Sequence, residues 1–168
     1  MTLTSTRNAP YQRQMTDTMT DTPRTVLFPG SFNPFTLGHK SLVDRALLLF
    51  DKVVIAVGVN SSKPGAESDA AERIEAIRRV YGSEPKVKVC AYTGLTVDAC
   101  REHGARWMLR GVRTVADLEY ERNLADINRR ISGIETVVLF TLPELAAVSS
   151  SMVRELDRYG VDTSPFLP

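Results

Sequence analysis

Cysteine is scarce in this sequence, and what there is has no structural pattern. Cys90 and Cys100 form neither a CxxC nor a zinc-type spacing, which excludes a disulfide-stapled or zinc-held scaffold. Two buried thiols without partners fit a reducing, cytoplasmic compartment. No sign of charge dominates either: 21 lysines and arginines stand against 20 acids, a net charge of +1. Such a balance offers no bulk attraction for long nucleic acid, so any phosphate is held locally. Long apolar runs are missing, and nothing resembles a membrane span. Also missing are GxGxxG and GxxxxGK[ST], which removes two familiar phosphate-binding loops.

What is present suits one soluble domain. The chain has 168 residues, 43% of them hydrophobic and 24% charged, and a chain of that length buries roughly two thirds of its unfolded surface. Residues 1–24 stand apart: they are rich in threonine, contain the doublet MTDTMTDT and have almost no apolar periodicity. That predicts a disordered tail ahead of one domain over 25–168. Arg7 and Arg13, in an opening without acids, faintly resemble a transit peptide, but no amphipathic face accompanies them. Met15 and Met19 are alternative starts.

From Thr25 onward, β-branched runs alternate with segments of helical period. TVLF precedes a helix near His39 to Phe50, and VVIAVGV precedes a helix near Asp69 to Tyr81. VKVCA, a helix after Thr96, WMLR, a helix from about Asp117 to Ile131, TVVLF and a helix opening at the serines follow. Leu42, Val43, Ala46, Leu49 and Phe50 fall on one stripe, and Asp69 with Glu72 predicts a capping-box start. Five strands with intervening helices imply an α/β fold, a parallel, doubly wound sheet in one domain. Ligands of such sheets collect at the carboxyl ends of strands, near the switch point.

The loops at those ends carry the chemistry. PGSFNPFTLGH, Pro29 to His39, joins the first strand to the first helix. Gly30 and Gly38 would let a nucleotide lie against bare backbone, with Ser31 adding a hydroxyl. His39 would stand in the first helical turn, where its ring N–H and the helix dipole both favour a phosphate. Ser149, Ser150 and Ser151 precede MVREL, so hydroxyls and free N–H groups there predict an anion cradle, although an N-cap alone accounts for one serine. RGVR sets Arg110 and Arg113 around Gly111, which leaves room for close approach. Two such cations need an anion between them or acidic partners, for which Asp117, Glu119 and Glu121 are the candidates. Lys63, in NSSKP, is a third cation at a strand's end. Each cation alone also fits a solvated surface charge.

Taken together, PGSFNPFTLGH with its TxGH core, SSK, GLTVD, LRGVRTVADLEYE, INRR and VSSSMVREL are similar, in order and spacing, to the phosphopantetheine adenylyltransferases from Thr25 to Pro168. TxGH alone marks the wider nucleotidylyltransferase superfamily. RGVR followed by LEYE and SSS is far more specific. The resemblance implies the Rossmann-like fold of that superfamily and adenylyl transfer from ATP to 4′-phosphopantetheine, giving 3′-dephospho-coenzyme A and pyrophosphate. It implies ATP contacts from Ser31, Phe32, His39, Gly111, Val112, Arg113, Glu121 and the run Leu145, Ala146, Ala147, Val148, Ser149, Ser150 and Ser151. Ser31, Lys63, Thr96 and Arg110 would contact phosphopantetheine, and His39, Lys63 and Arg113 would be catalytic. A homohexamer and inhibition by coenzyme A belong to the same implication.

The chain departs from the family pattern in two places. Asn33 stands where many members have Asp, and Leu145, Ala146 and Ala147 stand where many have aromatic residues. The acceptor phosphate is already an anion, so no general base is needed. Magnesium would travel with ATP, since no carboxylate cluster reads as a dedicated site. A transferase of the same scaffold acting on nicotinamide mononucleotide or glycerol 3-phosphate is the nearest alternative, against which Lys63, Thr96 and the RGVR pair speak. A nucleotide sensor without turnover would have lost His39 or Lys63, and both are present.

Overall fold

Each β-branched run is a strand in the computed structural model, which describes residues 22–62 and 64–168. The strands are β1 (Thr25–Gly30), β2 (Lys52–Gly58), β3 (Val87–Tyr92), β4 (Trp107–Val112) and β5 (Glu135–Phe140). All pair in parallel in the order β3-β2-β1-β4-β5, so the sheet is doubly wound and its direction of growth reverses between β1 and β4. The helices are α1 (Leu37–Ala46), α2 (Ala66–Tyr81), α3 (Thr96–Glu102), α4 (Val115–Ser132) and α5 (Ser150–Arg158).

Strand alternation feeds two cores. Val26, Phe28, Val53, Ile55, Val57 and Leu109 face α1 and α2, meeting Leu42, Val43, Ile74 and Ile77. Their neighbours Leu27, Val54, Ala56 and Met108 face the other way, against Val97 and Cys100 of α3. The central strands are buried on both faces and therefore read as continuous apolar runs. No helix among the described residues is long and apolar enough to cross a membrane.

The elements depart from the sequence expectations at their ends. α1 stops at Ala46, and a tight turn through Leu47 to Leu49 lets Phe50 reach the core beside Trp107. Leu49 is therefore 48% exposed and does not belong to the buried stripe. α2 starts at Ala66 after Gly65, whose φ of 77° no side chain favours. Asp69 thus lies inside the first turn with Glu67, where both meet the positive helix end, and the Asp69 and Glu72 capping box does not form. Cys100 is buried as expected, but Cys90 is half-buried, with its sulfur 3.1 Å from His103 Nε2. Burial pushes both thiols up, that of Cys100 to about 11.

Of the tail expected over 1–24, residues 1–21 lie outside the described residues. Arg24 belongs to the body: its backbone N–H and guanidinium grip the Asp51 carboxylate, and its carbonyl accepts from Asp51 and Lys52.

Gly111 is the tightest point of the packing near the site. A Cβ there would stand 2.3 Å from Leu42 Cδ1, and Leu42 is buried. The place a side chain would take here is therefore filled by Leu42, while the glycine itself lines the larger cavity of the site. Gly111→Ala is expected to cost about 1 to 3 kcal/mol in urea unfolding, as overpacking does. Combined with Leu42→Ala it should cost less than the two single changes added together, whereas simple additivity would show that the two residues do not compete for the same space.

Candidate active site

The crevice follows from a proline. β1 and β4 pair only at Val26↔Trp107 and Leu27↔Met108, although each strand runs on for several residues. The next residue of β1 to present its peptide edge to β4 is Pro29, whose carbonyl accepts from Arg110 Nη1 at 3.2 Å. Proline has no N–H to donate, so the ladder ends there and the strand ends part. A cavity of about 350 Å³ lies at this opening, lined from β1, the Ser31 to His39 loop, β4 and the start of α5. A second, of about 280 Å³, adjoins it and shares Pro29, Arg110 and Glu121.

His39 is half-buried in the first turn of α1. Its Nδ1 accepts the Thr36 N–H at 3.0 Å, so the proton of the neutral ring sits on Nε2, the nitrogen left for a ligand. Phe35 stacks on the ring at 5.5 Å, and Phe32 meets it edge-on at 5.1 Å. Burial among these rings, and then the Arg113 charge, lower its pKa to about 4. At neutral pH His39 is an uncharged hydrogen-bond donor.

The acidic partners of the arginines divide cleanly. Arg110 pairs with Glu121, through Nε to Oε2 at 2.8 Å and Nη2 to Oε1 at 2.5 Å. Arg113 pairs with Asp117, one helical turn on, at 3.4 Å, and its backbone N–H donates to the same carboxylate. Thr114 caps α4 by accepting from Asp117 N, so the helix begins at Val115, ahead of the expected Asp117. Glu119 makes no ion pair among the described residues.

The serines are more committed than expected. Ser149 caps α5 by accepting from Met152 N, Ser150 Oγ donates to Pro34 O at 2.8 Å, and Ser151 Oγ accepts from Arg154. The cradle is therefore one of backbone: the Ser150 and Ser151 N–H groups, at the first two helical positions, have no helical carbonyl to serve. Gly30 is likewise occupied, since a Cβ there would lie 2.8 Å from the Phe32 ring. Phe32 itself is buried, with a φ of 46°.

Ser31, Phe32, His39, Gly111, Arg113 and Val148 to Ser151 come together around the first cavity, and Arg110 and Glu121 form its wall with the second. Thr96 lines only the second, where Tyr92 Oη lies 3.3 Å from its hydroxyl. Val112 is buried in the core, and Leu145, Ala146 and Ala147 do not line either cavity. Lys63 lies outside the described residues. Four residues were not singled out from the sequence. Thr36 orients His39, and Tyr120 lines the first cavity. Arg73 and Arg154 donate to the Ser31 and Asn33 carbonyls. The TxGH and LEYE spacings signalled the first two; the arginines depend on distant helices meeting one loop.

A ring titration by NMR is expected to place the His39 midpoint near 4 and to move it upward in Arg113→Ala. Because the folded value lies below the unfolded value of about 6.5, His39 favours unfolding as pH falls from about 6.5 to about 4 and is neutral in effect above that range. A midpoint near 6.5 in the folded protein would remove both inferences.

Residues 27–156 match the family model described as cytidylyltransferase-like. A phosphopantetheine adenylyltransferase of Phocaeicola vulgatus is 50% identical over 145 residues, which cover 86% of this chain and 95% of the relative. That of Bacteroides fragilis is also 50% identical, covering 86% and 96%, and one from Porphyromonas gingivalis is 51% identical, covering 84% and 92%. Among solved structures, a bifunctional NMN adenylyltransferase/ADP ribose pyrophosphatase from Francisella tularensis superposes with a TM-score of 0.60 at 16% identity. That match covers 87% of this chain and spans 45% of the larger protein, a likeness of fold alone. With half of the aligned residues identical along nearly the whole length of these relatives, the chain belongs to the phosphopantetheine adenylyltransferases, within the cytidylyltransferase-like family.

Proposed function

We propose that this enzyme transfers the adenylyl group of ATP to 4′-phosphopantetheine, releasing pyrophosphate and forming 3′-dephospho-coenzyme A. The observation that carries the reading, beside family membership, is the pair of adjoining cavities that share one wall at Arg110. A reaction between two anionic substrates needs two compartments that meet where the bond forms. The first, with His39, Arg113 and the α5 N-terminus, suits a nucleotide triphosphate. The second, lined by Leu95, Val97, Met108, Leu124 and Ile131 together with Thr96, Asn128 and Thr136, suits a long arm that carries amides and a hydroxyl between its apolar carbons.

A phosphate oxygen of the acceptor attacks the α-phosphorus in line. The bond from that phosphorus to the α,β-bridging oxygen breaks, and pyrophosphate leaves with the electron pair. No proton has to be removed first, so the site needs donors rather than a base. Nε2–H of His39 is held for an α-phosphate oxygen, and Lys63 is assigned to the same phosphate. Arg113 with the Ser150 and Ser151 N–H groups holds the leaving pyrophosphate. Magnesium enters with ATP. Asp117 and Glu121, the carboxylates that line the first cavity, are taken up by Arg113 and Arg110, and no cluster of three His, Cys, Asp or Glu side chains stands together among the described residues.

Three further parts of the reading rest on the family. Coenzyme A is a feedback inhibitor, since it carries the product's pantetheine arm. The enzyme is cytoplasmic, which both unpaired thiols support. It assembles as a homohexamer, supported by the exposed Leu118, Tyr120, Ile127 and Ile131 of α4 and Phe140 of β5. A pyrophosphate-release assay with ATP and 4′-phosphopantetheine, nicotinamide mononucleotide or glycerol 3-phosphate tests the acceptor directly; turnover with either of the last two alone would overturn the reading.

His39→Ala is expected to lower kcat on the order of a hundredfold or more, the cost of one preorganised donor. It also loses the bond to Thr36, at about 1 kcal/mol of stability. A folded variant turning over at the parent rate would remove the assignment. Arg110→Ala should weaken phosphopantetheine more than ATP, and Arg113→Ala the reverse, by about 1.5 to 3 kcal/mol in calorimetric titration. Equal losses of both ligands in both variants would contradict the division of the site.

A further inference from the structure

Phe32 is assigned to ATP by resemblance, yet its ring is 2% exposed and packs beside Gly30 against Phe28, Phe35 and His39. Only its backbone is left to meet a ligand. Its φ of 46° falls in the left-handed region, which a side chain disfavours, so contacts from elsewhere have to hold the turn. Three do: Arg73 of α2 donates to the Ser31 carbonyl, Arg154 of α5 to that of Asn33, and Ser150 Oγ to that of Pro34. A trans peptide points its N–H opposite to its C=O, so fixing the Ser31 oxygen towards α2 turns the Phe32 N–H the other way. Arg73 lines neither cavity, whereas Ser31 and Phe32 line the first. The N–H is thereby left on the cavity side. Arg73 is itself anchored twice, since its Nε donates to the Asp69 carbonyl of its own helix at 3.0 Å. Unlike Arg110 and Arg113, it forms no ion pair among the described residues. Its charge therefore acts on the Ser31 carbonyl undiminished, and a peptide polarised at one end is the stronger donor at the other.

We infer that Arg73 is a positioning residue that reaches the reaction only through the Ser31–Phe32 peptide, aiming the Phe32 N–H at a non-bridging oxygen of the ATP α-phosphate and strengthening it as charge builds there. Ser31 belongs by resemblance to both substrates, which puts this peptide where the new bond forms. The inference deepens the proposed function and rests on its use of ATP, not on its choice of acceptor. Arg73 also ties α2 to the loop, so bracing has to be separated from aiming. Loss of a brace lowers Tm and raises both KM values, whereas loss of aim falls on kcat and on the α-phosphate.

The test uses the full chain, with kcat, both KM values and Tm measured for Arg73→Met, which keeps much of the length but has no charge and no donor, and for Arg73→Lys. Arg73→Met is expected to lower kcat about tenfold while each KM stays within about threefold and Tm falls by less than about 5 °C. Arg73→Lys, which returns a charged donor to the Ser31 carbonyl without the Asp69 anchor, should recover kcat to within about threefold of the parent. The decisive readout is ATP carrying sulfur at one non-bridging α-oxygen, as each of its two diastereomers, because sulfur accepts a hydrogen bond poorly. In the parent one diastereomer should lose more rate than the other. In Arg73→Met that difference should shrink about fivefold, since the donor that tells the two oxygens apart is no longer aimed. If Arg73→Met does not fold, Arg73→Lys carries the test, with kcat lowered about threefold and the diastereomer difference about twofold smaller. An unchanged diastereomer difference in the folded variant, a kcat at the parent level, or KM values that rise together while kcat stays put would overturn the inference. A parent that releases pyrophosphate only with nicotinamide mononucleotide or glycerol 3-phosphate would overturn the acceptor reading, and the same comparison with that acceptor then decides the role of Arg73. No pyrophosphate release from ATP with any acceptor would overturn both.

Discussion

The site exists because the β1 and β4 ladder cannot continue past Leu27 and Met108. Pro29 presents a carbonyl and no N–H to β4, so the two central strands separate at the place where the sheet's winding reverses. Everything chemical hangs on that gap. Arg110 fills part of it from β4, Glu121 reaches it from α4, and the loop that leaves β1 folds over its rim with His39 at the far side. Had the ladder run the full length of both strands, the same side chains would line a closed sheet edge.

The two arginines that line the gap stand in neutral pairs. Arg110 carries Glu121 and Arg113 carries Asp117, while His39 is kept uncharged by burial and by Arg113. A pocket full of unpaired cations would be costly to build and would bind any phosphate indiscriminately. Pairing each cation preserves direction, since a guanidinium bound on one edge still offers donors on another. Selectivity between two phosphorylated ligands then comes from where donors point and from the shape of the two cavities rather than from net charge.

The architecture was legible because it is written locally. Apolar runs between turn residues, β-branched in all but WMLR, marked the five strands, and their parallel sense follows from the helices between them. What failed to read were features decided by contacts across the fold. Leu49 has the right spacing for the α1 stripe but is turned out so that Phe50 can reach Trp107. Gly30 and Gly111 line the larger cavity, but the neighbours that forbid a side chain at each, Phe32 and Leu42, could not be named from spacing. The serine hydroxyls read as an anion cradle, and one caps a helix while another holds Pro34. Sequence shows which groups are polar or small; which neighbour claims them is settled only by packing.

The bond from Ser150 to Pro34 joins residues 116 positions apart, and Arg154 reaches Asn33 across 121. The loop after the first strand is thus completed by the last helix. In a chain emerging from the ribosome, the histidine, the glycines and both arginines of the site would all be outside, and four strands could already be paired, before the segment that braces the loop had been made. Such long-range closure comes late by its nature, because its contacts must wait for the intervening chain. The loop that carries His39 therefore takes its final place only after α5 has been made, whereas the sheet beneath it has no such wait.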